Sequence, residues 1–168
     1  MNEIFNRRSI RRFTPQHVEK EKIDRLLRAA MQAPSAHNQQ PWEFIVVENP
    51  DTISKLSLAS PYAKPAAGSS LTLVLMANNR VIKVPSAWQQ DMGAAAQNIL
   101  LEAVHLDLGA VWMGIATSDE AADYIRNLFN LPDFIEPFAL ISIGYPDVSK
   151  NEFVDRYKDS KVHYEKWQ

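Results

Sequence analysis

The sequence predicts an α+β fold in a single domain spanning residues 1–168. Three observations predict it. Segments with the apolar spacing of amphipathic helices are interspersed with short, breaker-free runs of β-branched and aromatic residues. The regular strand–helix alternation of a doubly wound sheet is missing. Finally, 168 residues with 46% hydrophobic and 23% charged side chains suffice for one ordinary core and not for two large ones.

The elements follow in chain order. Thr14-Pro15 marks a turn into a helix over residues 19–32, where Ile23, Leu26, Leu27, Ala30 and Met31 form one apolar stripe. That helix stops at Ala33-Pro34, because the residue before a proline disfavours helical geometry. Residues 34–41 are polar, bracketed by prolines and expected to be irregular. Residues 42–48 (WEFIVVE) read as a buried strand. Pro50-Asp51 opens a short helix to about residue 59, and a Pro-, Ala-, Gly- and Ser-rich loop covers residues 60–70. Residues 71–77 (LTLVLMA) form a second core strand.

A long helix is expected over residues 86–108, with Met92, Ala95, Ala96, Ile99, Leu100 and Ala103 on one side. Gly93 and Ala94 to Ala96 leave one of its faces small, which suits either close packing within the domain or a subunit interface. Gly109 should end that helix, with a short strand over residues 110–113. Thr117 and Glu120 suggest a capping box for a helix continuing to about Phe129. The last core strand is expected over residues 138–143, closed by Gly144-Tyr145-Pro146. The charged tail, residues 147–168, carries Phe153, Tyr157, Val162, Tyr164 and Trp167 and reads as a docked arm.

Charge and composition exclude several functions. Lys+Arg 18 against Asp+Glu 20 gives a net charge of -2, so no global field draws in nucleic acid or an anionic membrane. No apolar run is long enough to span a bilayer, and the N-terminal residues have no apolar signal core. The absence of cysteine excludes disulfides, thiolate nucleophiles and cysteine-ligated metals. The chain therefore reads as a cytoplasmic domain.

Three segments could carry chemistry. Arg7-Arg8-Ser9-Ile10-Arg11-Arg12 packs four guanidiniums into six residues, a repulsion that an anion would offset. Arg suits bidentate phosphate contact, although a solvated patch or salt bridges to the acidic tail would also account for the cluster. A nucleic-acid arm fits poorly, since no helix-turn-helix or aromatic RNA-binding pattern accompanies it. The 34–41 loop, with Ser35, Asn38, Gln39 and Gln40, offers amide groups able to read the edge of a flat heterocycle. Ordinary turns collect the same residues. Gly114, at a strand end, lets backbone N–H groups approach a ligand closely. No nucleophile elbow, zincin motif, Walker loop or dinucleotide fingerprint is present, and His17, His37, His105 and His163 are scattered singly. The hard chemistry of an enzyme built this way would belong to a bound cofactor.

Taken in order, these segments resemble the nitroreductase family of flavin-dependent oxidoreductases. The likeness rests on Arg7 to Phe13, on Ala30 through Phe44, on Asp91 to Leu101, on Gly109 to Gly114 and on Ile143-Gly144-Tyr145-Pro146. It covers nearly the whole chain. What it implies is a nitroreductase-like fold, a central mixed sheet flanked by helices, in an intertwined homodimer with FMN at the subunit interface. By this resemblance Arg7, Arg8, Ser9 and Arg11 hold the FMN phosphate and ribityl chain, and Arg156 closes on the phosphate. Pro34, Ser35, Ala36 and Asn38 come from the other subunit and contact the isoalloxazine. Met113 and Gly114 offer backbone N–H groups near its N5 and O4. Lys64 or Tyr62 could line the pocket. The implied activity is ping-pong transfer of electrons from NAD(P)H to nitroaromatics, quinones or similar acceptors, with no catalytic side chain and no metal. A non-enzymatic flavin-storage or flavin-sensing protein on the same fold is the alternative, because no long insertion covers the substrate face.

Overall fold

The computed structural model describes residues 2–148 and 154–167. Its centre is a four-stranded sheet of β1 (Trp42–Val47), β2 (Leu71–Asn78), β3 (Gly109–Gly114) and β4 (Ile135–Gly144), in the order β1-β2-β4-β3. All three pairings are antiparallel, which keeps the α+β class but corrects the expectation of a mixed sheet. The reason is topological. β2 and β3 point the same way, but β4 inserts between them and runs against both. Among the described residues the one parallel pairing is an isolated bridge from Ser9 to Ala110.

Helices cover both faces. α1 (Glu3–Asn6), a single turn not anticipated from the sequence, precedes the arginine segment. On one face lie α2 (Lys20–Met31) and the long α4 (Trp88–His105), where Leu26, Met92, Ala96 and Ile99 pack on Leu73, Leu75 and Ile141. On the other lie α3 (Pro50–Leu56) and α5 (Asp119–Phe129), where Ile53, Leu56 and Ile125 pack on Val74, Val111 and Leu140. β2 is buried on both sides, which is why its sequence, Thr72 and the terminal Asn78 apart, is apolar instead of alternating. Truncating one of these side chains, Leu26→Ala for example, removes contacts worth about 2–5 kcal/mol.

Two boundaries differ from expectation. α4 ends at His105, the chain turns at Asp107 in the left-handed region (φ 59°), and Gly109 opens β3 instead of ending the helix. The cap of α5 is Ser118, whose Oγ accepts from the Ala121 N–H at 3.3 Å. Thr117 is one residue too early to reach that donor. The tail is also not docked along its length on its own chain. Tyr157, Tyr164 and Trp167 are exposed, Trp167 stacks on His163 at 4.1 Å, and Phe153 lies outside the described residues.

Candidate functional site

The arginine segment is laid against the open edge of β3. Ile10 N–H donates to the Ala110 carbonyl at 3.0 Å, Thr14 N–H donates to the Tyr145 carbonyl at 2.8 Å, and Asp147 N–H donates to the Arg12 carbonyl at 3.0 Å. Gly109 is required here: a Cβ on it would stand 2.7 Å from Ile10 Cγ2. Arg8 Nη1 donates to the carbonyls of Phe5 and Arg7, at 3.2 and 2.8 Å, which fixes the turn after α1. Arg7, Arg8 and Arg156 line one cavity of about 260 Å³, together with Phe5, Asp155 and Tyr157. Residues 154–157 of the tail thus lie across this cavity from Arg7 and Arg8. Ser9 and Arg11 are exposed beside that cavity, with Ser9 held in the bridge to Ala110.

The outer edge of β3 continues away from this cluster. Since the Ala110 carbonyl faces Ile10, strand alternation turns the polar backbone groups of Trp112 and Gly114 outward as well. Those of Val111 and Met113 turn inward to β4, in register with Ser142 and Leu140. This corrects the pairing of Met113 with Gly114 as joint donors. The Met113 side chain is buried in the core and its N–H faces the sheet, so the outward N–H at this end is that of Gly114. Ala110 and Gly114 are four residues apart, about 13 Å along the edge.

The 34–41 loop is held differently. His37, Asn38 and Gln40 all adopt positive φ, at 49°, 51° and 46°, a cost of about 1–2 kcal/mol for each non-glycine residue. What offsets it is a buried network. Asp91, in the first turn of α4, is 5% exposed, and its Oδ1 accepts from Ala36 N–H at 3.0 Å. Its Oδ2 accepts from Gln39 Nε2 at 2.5 Å. Gln39, 4% exposed, in turn accepts on Oε1 from the N–H groups of Lys83 and Val84, at 2.8 and 2.9 Å. Ser35 Oγ accepts from Gln40 N–H at 3.0 Å, and Gln40 Nε2 donates to Asn38 Oδ1 at 3.1 Å. Pro34 and Asn38 are left exposed on its surface. Sequence reasoning missed Asp91 as the anchor. Its only local signal was an acid in the first turn of an apolar helix.

These two regions stand at opposite corners of the chain. The loop leads into β1 at Trp42, level with Ala77 and Glu136, whereas the arginines flank β3 at Ala110, level with Ile143 and Leu71. Three strand spacings and the length of β4 separate them, roughly 25 Å. α4 measures the same gap: Asp91 meets the loop at its first turn and His105 meets Glu3 of α1 at its last, about 21 Å away at 1.5 Å per residue.

Lys64 belongs to neither region. It lines a separate depression of about 500 Å³ with Ser57, Ser118 and Glu120, and Tyr62 is 83% exposed. Among the described residues, no group of three or more His, Asp or Glu could hold a metal ion, and no helix is long and apolar enough to cross a membrane.

Comparison with known proteins places this geometry. The sequence profile of the Nitroreductase family matches residues 4–68 and 84–145. A candidate NADH dehydrogenase/NAD(P)H nitroreductase of Archaeoglobus fulgidus is 39% identical over 167 residues, covering 98% of this chain and 96% of the relative. Among solved structures, a candidate NADH oxidase from Clostridium acetobutylicum superposes with a TM-score of 0.96 at 53% identity, covering 98% of this chain and 99% of the other. An FMN-dependent nitroreductase from Clostridium difficile superposes with a TM-score of 0.90 at 33% identity, covering 99% of each chain.

Proposed function

This chain belongs to the nitroreductase family, and from that membership we propose that it is an FMN-dependent oxidoreductase passing electrons from NAD(P)H to nitroaromatics, quinones or other electron-poor acceptors. The observation that carries the reading is the open edge of β3. One end holds the cavity of Arg7, Arg8 and Arg156, and the Gly114 N–H faces outward about 13 Å further along. A ligand with a dianionic phosphate at one end and a polar heterocycle at the other matches that spacing of charge and donor.

The residues fit FMN by their chemistry. Three guanidiniums on one cavity suit a phosphate, and a glycine N–H on an open edge suits a ring that needs a donor without a side chain in its way. Ser9 and Arg11 lie between these points and would hold the ribityl chain. Arg156 is the least anchored of the set, being exposed on the tail.

The loop bearing Pro34, Ser35, Ala36 and Asn38 stands at the far corner of its own chain, so we assign it to the site of a second copy. A homodimer with FMN at the interface brings both halves together. Bound FMN supplies reversible acceptance of a hydride equivalent. The chain's own residues bind it, orient its ring and place donors where negative charge accumulates on reduction. No side chain is assigned as acid or base. NAD(P)H and the acceptor use the same face in turn, a ping-pong order.

The short connection between β2 and α4 favours a second reading. Residues 79–87 are too few to build a cover, as a flavin-storage or flavin-sensing protein would tolerate. A visible spectrum of the purified protein followed by anaerobic NADH or NADPH separates the two. A flavin band that bleaches and returns on adding a quinone is the expected result. A band indifferent to both nicotinamides would favour the sensing protein, and a colourless protein that takes up no added FMN would end both readings.

A further inference from the structure

We infer that Asp91 is a positioning residue for the flavin ring: a one-way hydrogen-bond relay, which with Gln39 in place is complete only when position 91 carries a carboxylate, sets the conformation of the 35–40 loop. The inference rests on the proposed FMN site, since Ser35, Ala36 and Asn38 are the residues that loop would present.

The direction of the relay follows from its donors. Lys83 and Val84 offer backbone N–H groups, so the Gln39 atom facing them must be the acceptor Oε1. That forces Gln39 Nε2 toward Asp91, and Ala36 presents another N–H to the same side chain. Both oxygens of residue 91 therefore face donors. An asparagine there has one acceptor and would turn its NH₂ against either Ala36 or Gln39. Rotating the Gln39 amide gives no relief, because its NH₂ would then oppose two backbone N–H groups. Both side chains are more than nine-tenths buried, so water is poorly placed to compensate. The relay ties three segments together: the first turn of α4, the loop at 36–39 and the 83–84 strand-to-helix connection. Three left-handed residues at 37, 38 and 40 relax if one tie is cut.

A charge swap tests this directly. Asp91→Asn leaves two donors face to face. Gln39→Glu sets two carboxylates against each other across a 2.5 Å contact unless the pair takes up a proton, so this single change is read at alkaline pH, where both are ionised. The combination Asp91→Asn with Gln39→Glu restores every bond. The carboxylate now at position 39 accepts from Lys83, from Val84 and from the amide NH₂ introduced at position 91, while the carbonyl of that amide accepts from Ala36. FMN titration of the full-length apo-protein, the visible band of the loaded protein and amide exchange at residues 36–40 are the readouts. Each single change is expected to weaken FMN binding about tenfold, alter the flavin band and speed exchange at Ala36. The double change is expected to return affinity to within about twofold.

Singles that lower the unfolding temperature but keep wild-type FMN affinity and flavin band would overturn the inference, leaving Asp91 a role in the fold alone. A double variant no better than the singles, or one that fails to fold where the relay predicts full satisfaction, would overturn it too. Wild-type protein that binds no FMN would remove the proposed function and the ring-positioning role with it. Exchange at Ala36 would in that case still decide whether the relay sets the loop.

Discussion

Glu3 Oε1 lies 3.1 Å from His105 Nδ1, joining the single turn of α1 to the last turn of α4. The contact matters because α1 delivers the chain to Arg7 and Arg8. The Glu3 backbone N–H, then His105, holds the Glu3 carboxyl below its ordinary 4.5. A carboxyl with a depressed folded-state pKa contributes stability above the unfolded value, and that contribution is lost as pH falls through the folded one. Protection of the amides of residues 3–10, taken relative to their intrinsic exchange rates, should fall below about pH 4.5, with no change on the neutral side from this group. Glu3→Gln should flatten that acid limb, and an unchanged profile would show that the contact does not hold α1.

Arg8→Ala should weaken FMN binding by roughly 1.5–3 kcal/mol, the range for one charge-assisted hydrogen bond. Part of the loss is indirect, because the Arg8 guanidinium also ties down the carbonyls of Phe5 and Arg7. Titration of the apo-variant with FMN, alongside a far-ultraviolet spectrum showing an intact fold, checks it. Wild-type affinity in the folded variant would count against the assignment of this cavity to the phosphate.

Gly109→Ala should damage the same site from behind. The added methyl would meet the branched Ile10 side chain at 2.7 to 2.9 Å, on its Cγ2, Cβ and Cγ1 atoms, and no rotation of a branched residue clears all three. Either β3 or the arginine segment must shift, at about 1–3 kcal/mol of stability. Chemical denaturation measures that cost. FMN affinity should fall with it, whereas an equally stable variant would mean that the segment moves aside freely.

Much of the fold was legible in the sequence because burial writes periodicity. Ile23, Leu26 and Ala30 recur at helical spacing since α2 buries one stripe, and 71–77 is apolar apart from Thr72 since β2 is covered on both faces. What was not legible depends on neighbours distant in sequence. The antiparallel sheet follows from the insertion of β4 between β2 and β3, which no local pattern announces. Met113 and Gly114 look alike as strand-end donors until the contact between Ile10 and Ala110 decides which backbone groups face outward. Asp91 and Gln39 are 52 positions apart, and neither carries a local sign of the other. The arginines and the polar loop were both visible as candidates, yet only the strand register shows that one chain holds them at opposite corners.

Gly93 separates two readings of the small face on α4. In the fold, a Cβ at Gly93 would stand 3.7 Å from the Trp112 ring, an ordinary contact, so Gly93→Ala should be nearly neutral. Gly93→Leu is different. The longer side chain must displace Trp112, which packs at 5.6 Å on Phe138, itself 5.9 Å from Trp88. A loss of about 1–3 kcal/mol is expected for overpacking of this kind, together with a change in tryptophan emission. Both effects should appear at protein concentrations low enough to dissociate any dimer. If the face were instead a seam between subunits, Gly93→Leu would spare the emission and the monomer's stability and convert a dimer to monomer in light scattering. The Trp112 contact argues for the first outcome, since the glycine already has a partner within its own chain.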